Sequence, residues 1–174
     1  AVEERGLENL RTSADALPVL ERPEIRDLFE RQGVLTPVEL ESRFEVYAEQ
    51  YVLAIEVEAR LVLRIARTQI APAVSESLER LCRSLRDQEA IGLQPDRGIA
   101  DQIAALQAQL LQGTNTLEQA LHQPPHGVHR HLQHCASTLL PLMGKIRQAA
   151  DGLEALVADD LWPLPTYQEL LFLR

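Results

Sequence analysis

The sequence predicts an all-α protein: an elongated antiparallel helical bundle with long kinked helices and an extended N-terminal lead-in. Three observations predict it. Apolar residues recur at steps of three and four over most of the 174 residues, which is the period of a helix with one buried face. Aromatic residues make up only 4% of a chain that is 45% hydrophobic, so the packing is aliphatic, and residues that favour strands are scarce. Gly33, the turn from Gly92 to Pro95, and Pro124 and Pro125 with Gly127 separate the periodic stretches.

Residues 1–22 read as the extended lead-in, a linker from an upstream region, because Gly6, Asn9, Thr12, Ser13 and Pro18 interrupt each periodic stretch and leave room for a short turn at most. The chain opens at Ala1 rather than at a methionine, and the expectation is a piece of a longer protein. Residues 23–160 are expected to form one helical bundle. Pro23 suits the first position of a short helix through Ile25, Leu28 and Phe29, which Gly33 stops. Thr36, Pro37 and Glu39 then form a capping box at the start of a long helix. Its apolar and small positions run Leu40, Phe44, Tyr47, Tyr51, Ile55, Val62, Ala66 and Ile70, with a second set at Val46, Leu53, Val57 and Leu61. A helix apolar on two faces has two neighbours.

Pro72 interrupts the backbone ladder, yet Val74, Leu78, Leu81 and Leu85 continue the seam, so a kink or short break is predicted there. Gly92 to Pro95 is a turn, and Ile99, Ile103, Leu106, Leu110, Leu117 and Leu121 mark the next helix. Pro124 and Pro125 force a loop from His122 to Gly127. Val128, Leu132, Cys135, Leu139, Leu142, Ile146, Ala149, Leu153 and Leu156 mark a last long helix, kinked at Pro141. At about 1.5 Å per residue, Thr36 to Ala71 and Val128 to Ala158 span roughly 45 to 55 Å each, similar enough to lie side by side. The tail, residues 161–174, is expected to run extended through Trp162, Pro163, Leu164 and Pro165, with Thr166 capping a short terminal helix.

A formal charge of −9, with arginines interleaved among acids, argues against nucleic acid and against an anionic membrane as partners. No apolar run approaches the roughly 20 residues of a membrane span, and the expected location is the cytoplasm. Cys82 and Cys135 lie within helical apolar patterns and read as two reduced, buried thiols.

The five histidines, His122, His126, His129, His131 and His134, invite a metal reading, since His131 and His134 share a helix face and Cys135 lies one turn from His131. They lack ordered ligand spacing and read as a polar loop and helix start. None is singled out as a phosphotransfer histidine. Glu39, Glu41, Glu45, Glu49, Glu56 and Glu58 alternate with Arg43, Arg60 and Arg64 as on a solvated face, without the Glu-x-x-His pairs of a carboxylate metal cage. No Gly-rich phosphate loop and no nucleophile with a base in reach is apparent. The reading is therefore of no catalytic, cofactor-binding or metal residues, and of a candidate interface at Phe44, Tyr47, Tyr51, Val57 and Trp162.

Three stretches carry a further resemblance: Gly6-Leu-Glu-Asn-Leu-Arg-Thr12 with Ala16-Leu-Pro18; Gly33-Val-Leu-Thr-Pro-Val-Glu-Leu-Glu-Ser-Arg-Phe-Glu-Val-Tyr-Ala-Glu-Gln-Tyr51; and Leu156-Val-Ala-Asp-Asp-Leu-Trp-Pro-Leu-Pro-Thr-Tyr-Gln-Glu-Leu-Leu-Phe172. Together they resemble the C-terminal end of type III glutamine synthetases, best from Gly6 to Pro72 and from Leu139 to Phe172, with Trp162-Pro-Leu-Pro165 the most specific element. Residues 74–134 match only as amphipathic helix. The resemblance implies an ATP-dependent glutamate–ammonia ligase several times longer than this chain, acting through a phosphorylated γ-carboxyl intermediate at Mg or Mn ions and assembled as a large oligomer. It implies that this chain is non-catalytic, with no cofactor of its own, and that its partners are the upstream catalytic domain and neighbouring subunits. The competing expectation is a stand-alone helical interaction module or regulator.

Overall fold

The computed structural model describes residues 5–6, 8–165 and 170–171, and among them every regular element is helical. In chain order these are α1 (Ser13–Ala16), a 3₁₀ helix (Leu17–Glu21), α2 (Pro23–Arg31), α3 (Pro37–Ile65), a π-helical segment (Ala66–Ile70), α4 (Ala71–Ala90), α5 (Gly98–His122), α6 (Val128–His134), a second π-helical segment (Cys135–Leu139) and α7 (Leu140–Glu154). The chain groups into two compact units, a division the sequence pattern did not draw: Ala1–Ala59 with Ala120–Pro141, and Arg60–Gln119 with Leu142–Arg174.

In the first unit the lead-in is helical from Ser13 to Glu21 rather than extended. Thr12 caps it, its hydroxyl accepting from the Asp15 amide at 3.2 Å, and Pro18 sits in the first turn of the 3₁₀ helix, where a missing N–H costs nothing. The short helix is held because its apolar side chains have somewhere to go. Ala14 is fully buried in a cluster with Phe44, Ala48 and Leu132, and Leu17 and Leu20 pack against it. Arg22 reaches back to Glu8 with two parallel hydrogen bonds of 2.7 and 2.8 Å.

α2 ends as its glycine predicts. Gly33 takes φ 65°, the Val34 amide donates to the Phe29 carbonyl and the Gly33 amide to Glu30, which is the paired arrangement of a Schellman cap. The capping box of α3 is also formed. The Thr36 amide and hydroxyl donate to the Glu39 carboxylate at 2.8 and 2.7 Å and hold that carboxyl below its usual range, while the Glu39 amide donates to the Thr36 hydroxyl at 3.3 Å. Thr36→Ala is expected to cost about 1 kcal/mol, read as a lower denaturant midpoint with unchanged slope.

Both predicted proline irregularities are π-helical turns. Before Pro72 the Ala71 amide bonds to the Ala66 carbonyl, five residues back, and before Pro141 the Leu140 amide bonds to Cys135 in the same way. A proline ring crowds the carbonyl four residues earlier, and the wider turn relieves that contact while the helix continues. In each case the residue at that carbonyl carries a hydroxyl that donates one turn back: Thr68 to Arg64 at 2.7 Å and Ser137 to Gln133 at 2.6 Å.

In the second unit α5 runs antiparallel to α4 and to α7. Arg67 makes a two-point ion pair with Glu118 at 2.7 Å while Gln107 donates to Ser75 at 2.8 Å, so rising numbers on one side meet falling numbers on the other. Gly113 lies against Ile146 and Gly152 against Leu106, where the absence of a side chain brings α5 and α7 close. Ile103, Leu110 and Leu117 of α5 are fully buried, as is Leu153 of α7. The tail from Leu161 to Pro165 carries no helix, and the expected Thr166 cap lies outside the described residues.

Candidate interaction surface

The histidines of α6 act as struts within the first unit. His129 Nε2 lies 2.9 Å from the Glu21 carboxylate, His131 Nε2 lies 3.0 Å from Glu56, and His134 Nε2 donates to the Ala120 carbonyl at 3.1 Å. One short helix is thereby tied to the 3₁₀ helix, to α3 and to the end of α5. Among the described residues no group of three or more His, Cys, Asp or Glu side chains stands close enough to hold a metal ion. Glu41, Glu45, Glu49 and Glu58 are exposed on α3, whereas Glu39 serves the cap and Glu56 the strut.

Cys135, at the start of the second π-helical segment, is fully buried as expected, whereas Cys82, expected buried, is exposed on α4; neither is in a disulfide. Burial, and then the nearby Glu56 carboxylate, push the Cys135 thiol from 9.0 up to about 11. At neutral pH one thiol per chain, Cys82, is expected to react promptly with a disulfide reagent, and Cys135 only on unfolding. The linkage has a definite sign. The folded state keeps the Cys135 proton after the unfolded chain has lost its own, so this contribution is complete below about pH 9 and is lost as pH rises toward 11. A melting temperature that falls across that window less steeply in Cys135→Ala than in the parent chain is the expected record.

Of the five candidate interface residues the structure removes one. Phe44 is 1% exposed and stacks on His129 with ring centroids 5.1 Å apart, so it belongs to the core of its own unit. The spacing that placed it in line with Tyr47 was misleading, because residues three apart on a helix diverge by about 60°. Tyr51 is half-buried against the same core, and burial raises its phenol above the usual value. Tyr47 and Val57 face outward at 44% and 53% exposed. With Val57 go Val46 and Leu53, at 46% and 60%, three members of the second apolar set of α3. They share one helix face, while Glu45 and Glu49 lie on one flank and Arg43 and Gln50 on the other. Val34, just before the capping box, and Val38, within it, are exposed as well, and the sequence pattern gave no sign of it.

Trp162 is half-buried in the second unit. With Leu164 and Pro165 it walls a groove of about 370 Å³ whose other side is α7 and the end of α3 with its π-helical extension. Its backbone amide is paired with the Ala158 and Asp159 carbonyls, but its indole Nε1 is buried with no acceptor among the described residues. Leaving such a donor unpaired costs about 1 to 3 kcal/mol.

The chain matches the family model described as the glutamine synthetase C-terminal domain over residues 1–89. It is 29% identical over 181 residues to the type-3 glutamine synthetase of Dictyostelium discoideum, an alignment covering 98% of this chain and 24% of the relative. It is also 29% identical to the glutamine synthetase of Bacteroides fragilis (strain YCH46), covering 98% of this chain and 25% of that one. The same identity holds for the glutamine synthetase of Butyrivibrio fibrisolvens, over 97% of this chain and 25% of the relative. The chain thus spans about a quarter of the length of the curated relatives it matches. With half of its residues matching the family model and nearly all of them aligned to these enzymes, the chain belongs to the glutamine synthetase C-terminal domain family.

Proposed function

We propose that the chain serves as the non-catalytic helical domain of an ATP-dependent glutamate–ammonia ligase, supporting its catalytic region or its subunit contacts. The observation that carries this reading is the end-to-end match to one quarter of three glutamine synthetases. In this reading ATP and Mg or Mn ions are held by the rest of the enzyme. The donor set here does not fit the ions, since the described residues bring no three metal-ligating side chains together, and no step of the reaction is assigned to this chain. No described helix is long and apolar enough to cross a membrane, and a cytoplasmic location suits an enzyme that consumes ATP.

The outward face of α3 supports the assembly role. Val46, Leu53 and Val57 offer an apolar stripe bordered by charge, the usual make-up of a helix that docks on another surface. The first test is the size of the native polypeptide, probed in cell extract with an antibody against this chain. A band several times heavier than 19.5 kDa with co-purifying glutamine synthetase activity supports the proposal. A band at the chain's own mass overturns it in favour of a stand-alone helical interaction module. In the intact enzyme, Val57→Ala combined with Tyr51→Ala is expected to weaken assembly; unchanged oligomeric state and stability would remove α3 as the docking face.

A further inference from the structure

Lys145 is the single lysine of the chain, beside sixteen arginines. Arg22, Arg67, Arg80 and Arg97 each hold a carboxylate at 2.9 Å or less. Lys145 has no such partner among the described residues. It lines a groove of about 390 Å³ between α5 and α7, within the size range of small-molecule sites. Gln109, Gln112 and Thr116 line it from one face of α5, and Lys145 and Gln148 from α7, with Ala149 buried at its floor. The lining is nearly as much polar as apolar, so these side chains present polar atoms to the groove.

Charge, amides and hydroxyl each restrict the occupant. α5 carries no charged residue between Asp101 and Glu118, and α7 no acid before Asp151, in a chain that holds 26 acids. The Lys145 ammonium is therefore the one charge lining the groove, and it matches a monoanion. The glutamines are unspent. Gln107, on another face of α5, donates to Ser75 at 2.8 Å, and Gln88 to Ser84 at 3.2 Å, whereas the Gln109, Gln112 and Gln148 side chains have no partner among the described residues. Each offers an N–H donor pair and a carbonyl acceptor. The Thr116 hydroxyl gives its proton to the Gln112 carbonyl at 2.9 Å, which leaves lone pairs for the groove and calls for a donor on the occupant. A phosphate dianion is best met by forked guanidinium groups or by the free amides of a helix N-terminus. Here no arginine lines the groove, and the polar groups of both walls stand in helix interiors whose amides are already bonded, so a carboxylate is the better match. We infer that the groove between α5 and α7 binds a small monocarboxylate carrying a hydroxyl or N–H group, with Lys145 on the carboxylate and Thr116 accepting from the donor. This site goes beyond the domain assignment and does not depend on it.

The experiment follows acetylation of Lys145 in the intact protein by an N-hydroxysuccinimide ester. After cleavage at arginine, mass spectrometry reads it on the peptide 131–147, normalised to a free lysine peptide in the same tube. L-lactate is the probe, compared at matched ionic strength with propionate, which lacks the hydroxyl, with inorganic phosphate and with chloride. The expected result is that lactate slows acetylation several-fold and propionate clearly less. Thr116→Val, at an exposed position, keeps the shape and removes the acceptor, and brings lactate down to the level of propionate. Should that variant not accumulate, Gln112→Ala is expected to weaken protection by both carboxylates. Equal slowing by chloride or propionate, stronger slowing by phosphate, and no slowing by any of the four would each overturn the site. So would a Lys145 that resists acetylation before any anion is added, or protection by lactate that the variant leaves unchanged.

Discussion

Phe44→Ala is expected to be the most damaging conservative truncation in the first unit, lowering its stability by about 3 to 5 kcal/mol. The ring is 1% exposed, it shares a cluster with Ala14, Ala48 and Leu132, and it stacks on His129 at an interplanar angle of 24°. Removing it deletes apolar area and leaves a cavity that small neighbours such as Ala14 and Ala48 cannot fill. It also strips His129 of its stacking partner, a loss of about 0.5 to 1.5 kcal/mol included in the larger figure. The same change at Val57, 53% exposed on the same helix, is expected to fall within about 0.5 kcal/mol of the parent. Equilibrium denaturation followed by far-ultraviolet circular dichroism reads both, and Trp162 fluorescence does not serve, because that side chain lies in the other unit. A cost below about 1 kcal/mol at Phe44 would return it to the surface and restore it as an interface residue.

The pair also shows what was legible in the sequence. Both faces of α3 could be read as apolar, but which one meets the core depends on helix phase, and the phase here is not constant. Buried positions step by four, from Leu40 to Phe44 to Ala48 and again from Ile55 to Ala59 to Leu63, and each such step turns the seam by about 40°. The π-helical segment Ala66–Ile70 inserts an additional residue into one turn and takes that drift back, so Val74 and Ser77 remain buried beyond it. Pro72 marked the place, and the hydrogen-bond shift that makes it a reset of phase left no signature of its own. The strong local signals, Thr36 with Glu39, Gly33, Pro124 with Pro125, fixed their boundaries well because each acts within one turn of chain. The lead-in was missed for the opposite reason. Thr12 to Glu21 is too short and too interrupted to be helical alone, and what holds it is burial of Ala14, Leu17 and Leu20 against α3 and α6, a partner distant in sequence. The histidines were legible as a cluster only, since their partners Glu21, Glu56 and Ala120 lie on three other elements.

Gly113 and Gly144 are expected to respond to the same kind of substitution with opposite signs. Both occupy helix interiors, where glycine costs roughly 1 kcal/mol relative to alanine because the unfolded chain has more freedom to lose. At Gly144 nothing lies within 4 Å of an added Cβ, so Gly144→Ala should recover about 0.5 to 1 kcal/mol. At Gly113 an added Cβ would stand 2.9 Å from Ile146 Cγ1, and Ile146 is itself 2% exposed in the packing between α5 and α7. Its Cγ1 is bonded directly to Cβ, so it cannot swing aside as a chain end would, and the two helices must separate or Ile146 must leave its rotamer. Such overpacking costs about 1 to 3 kcal/mol, which exceeds the propensity gain, and Gly113→Val, adding two methyl groups to the same contact, should cost more. The coupling is checked by a double change. If the contact with Ile146 is the cause, Ile146→Val, which removes the outer methyl and leaves a β-branched side chain, relieves little, whereas Ile146→Ala removes Cγ1 and makes Gly113→Ala neutral or stabilising in that background. Should Gly113→Ala prove stabilising in the parent chain, α5 and α7 would be farther apart at this point than the structure places them.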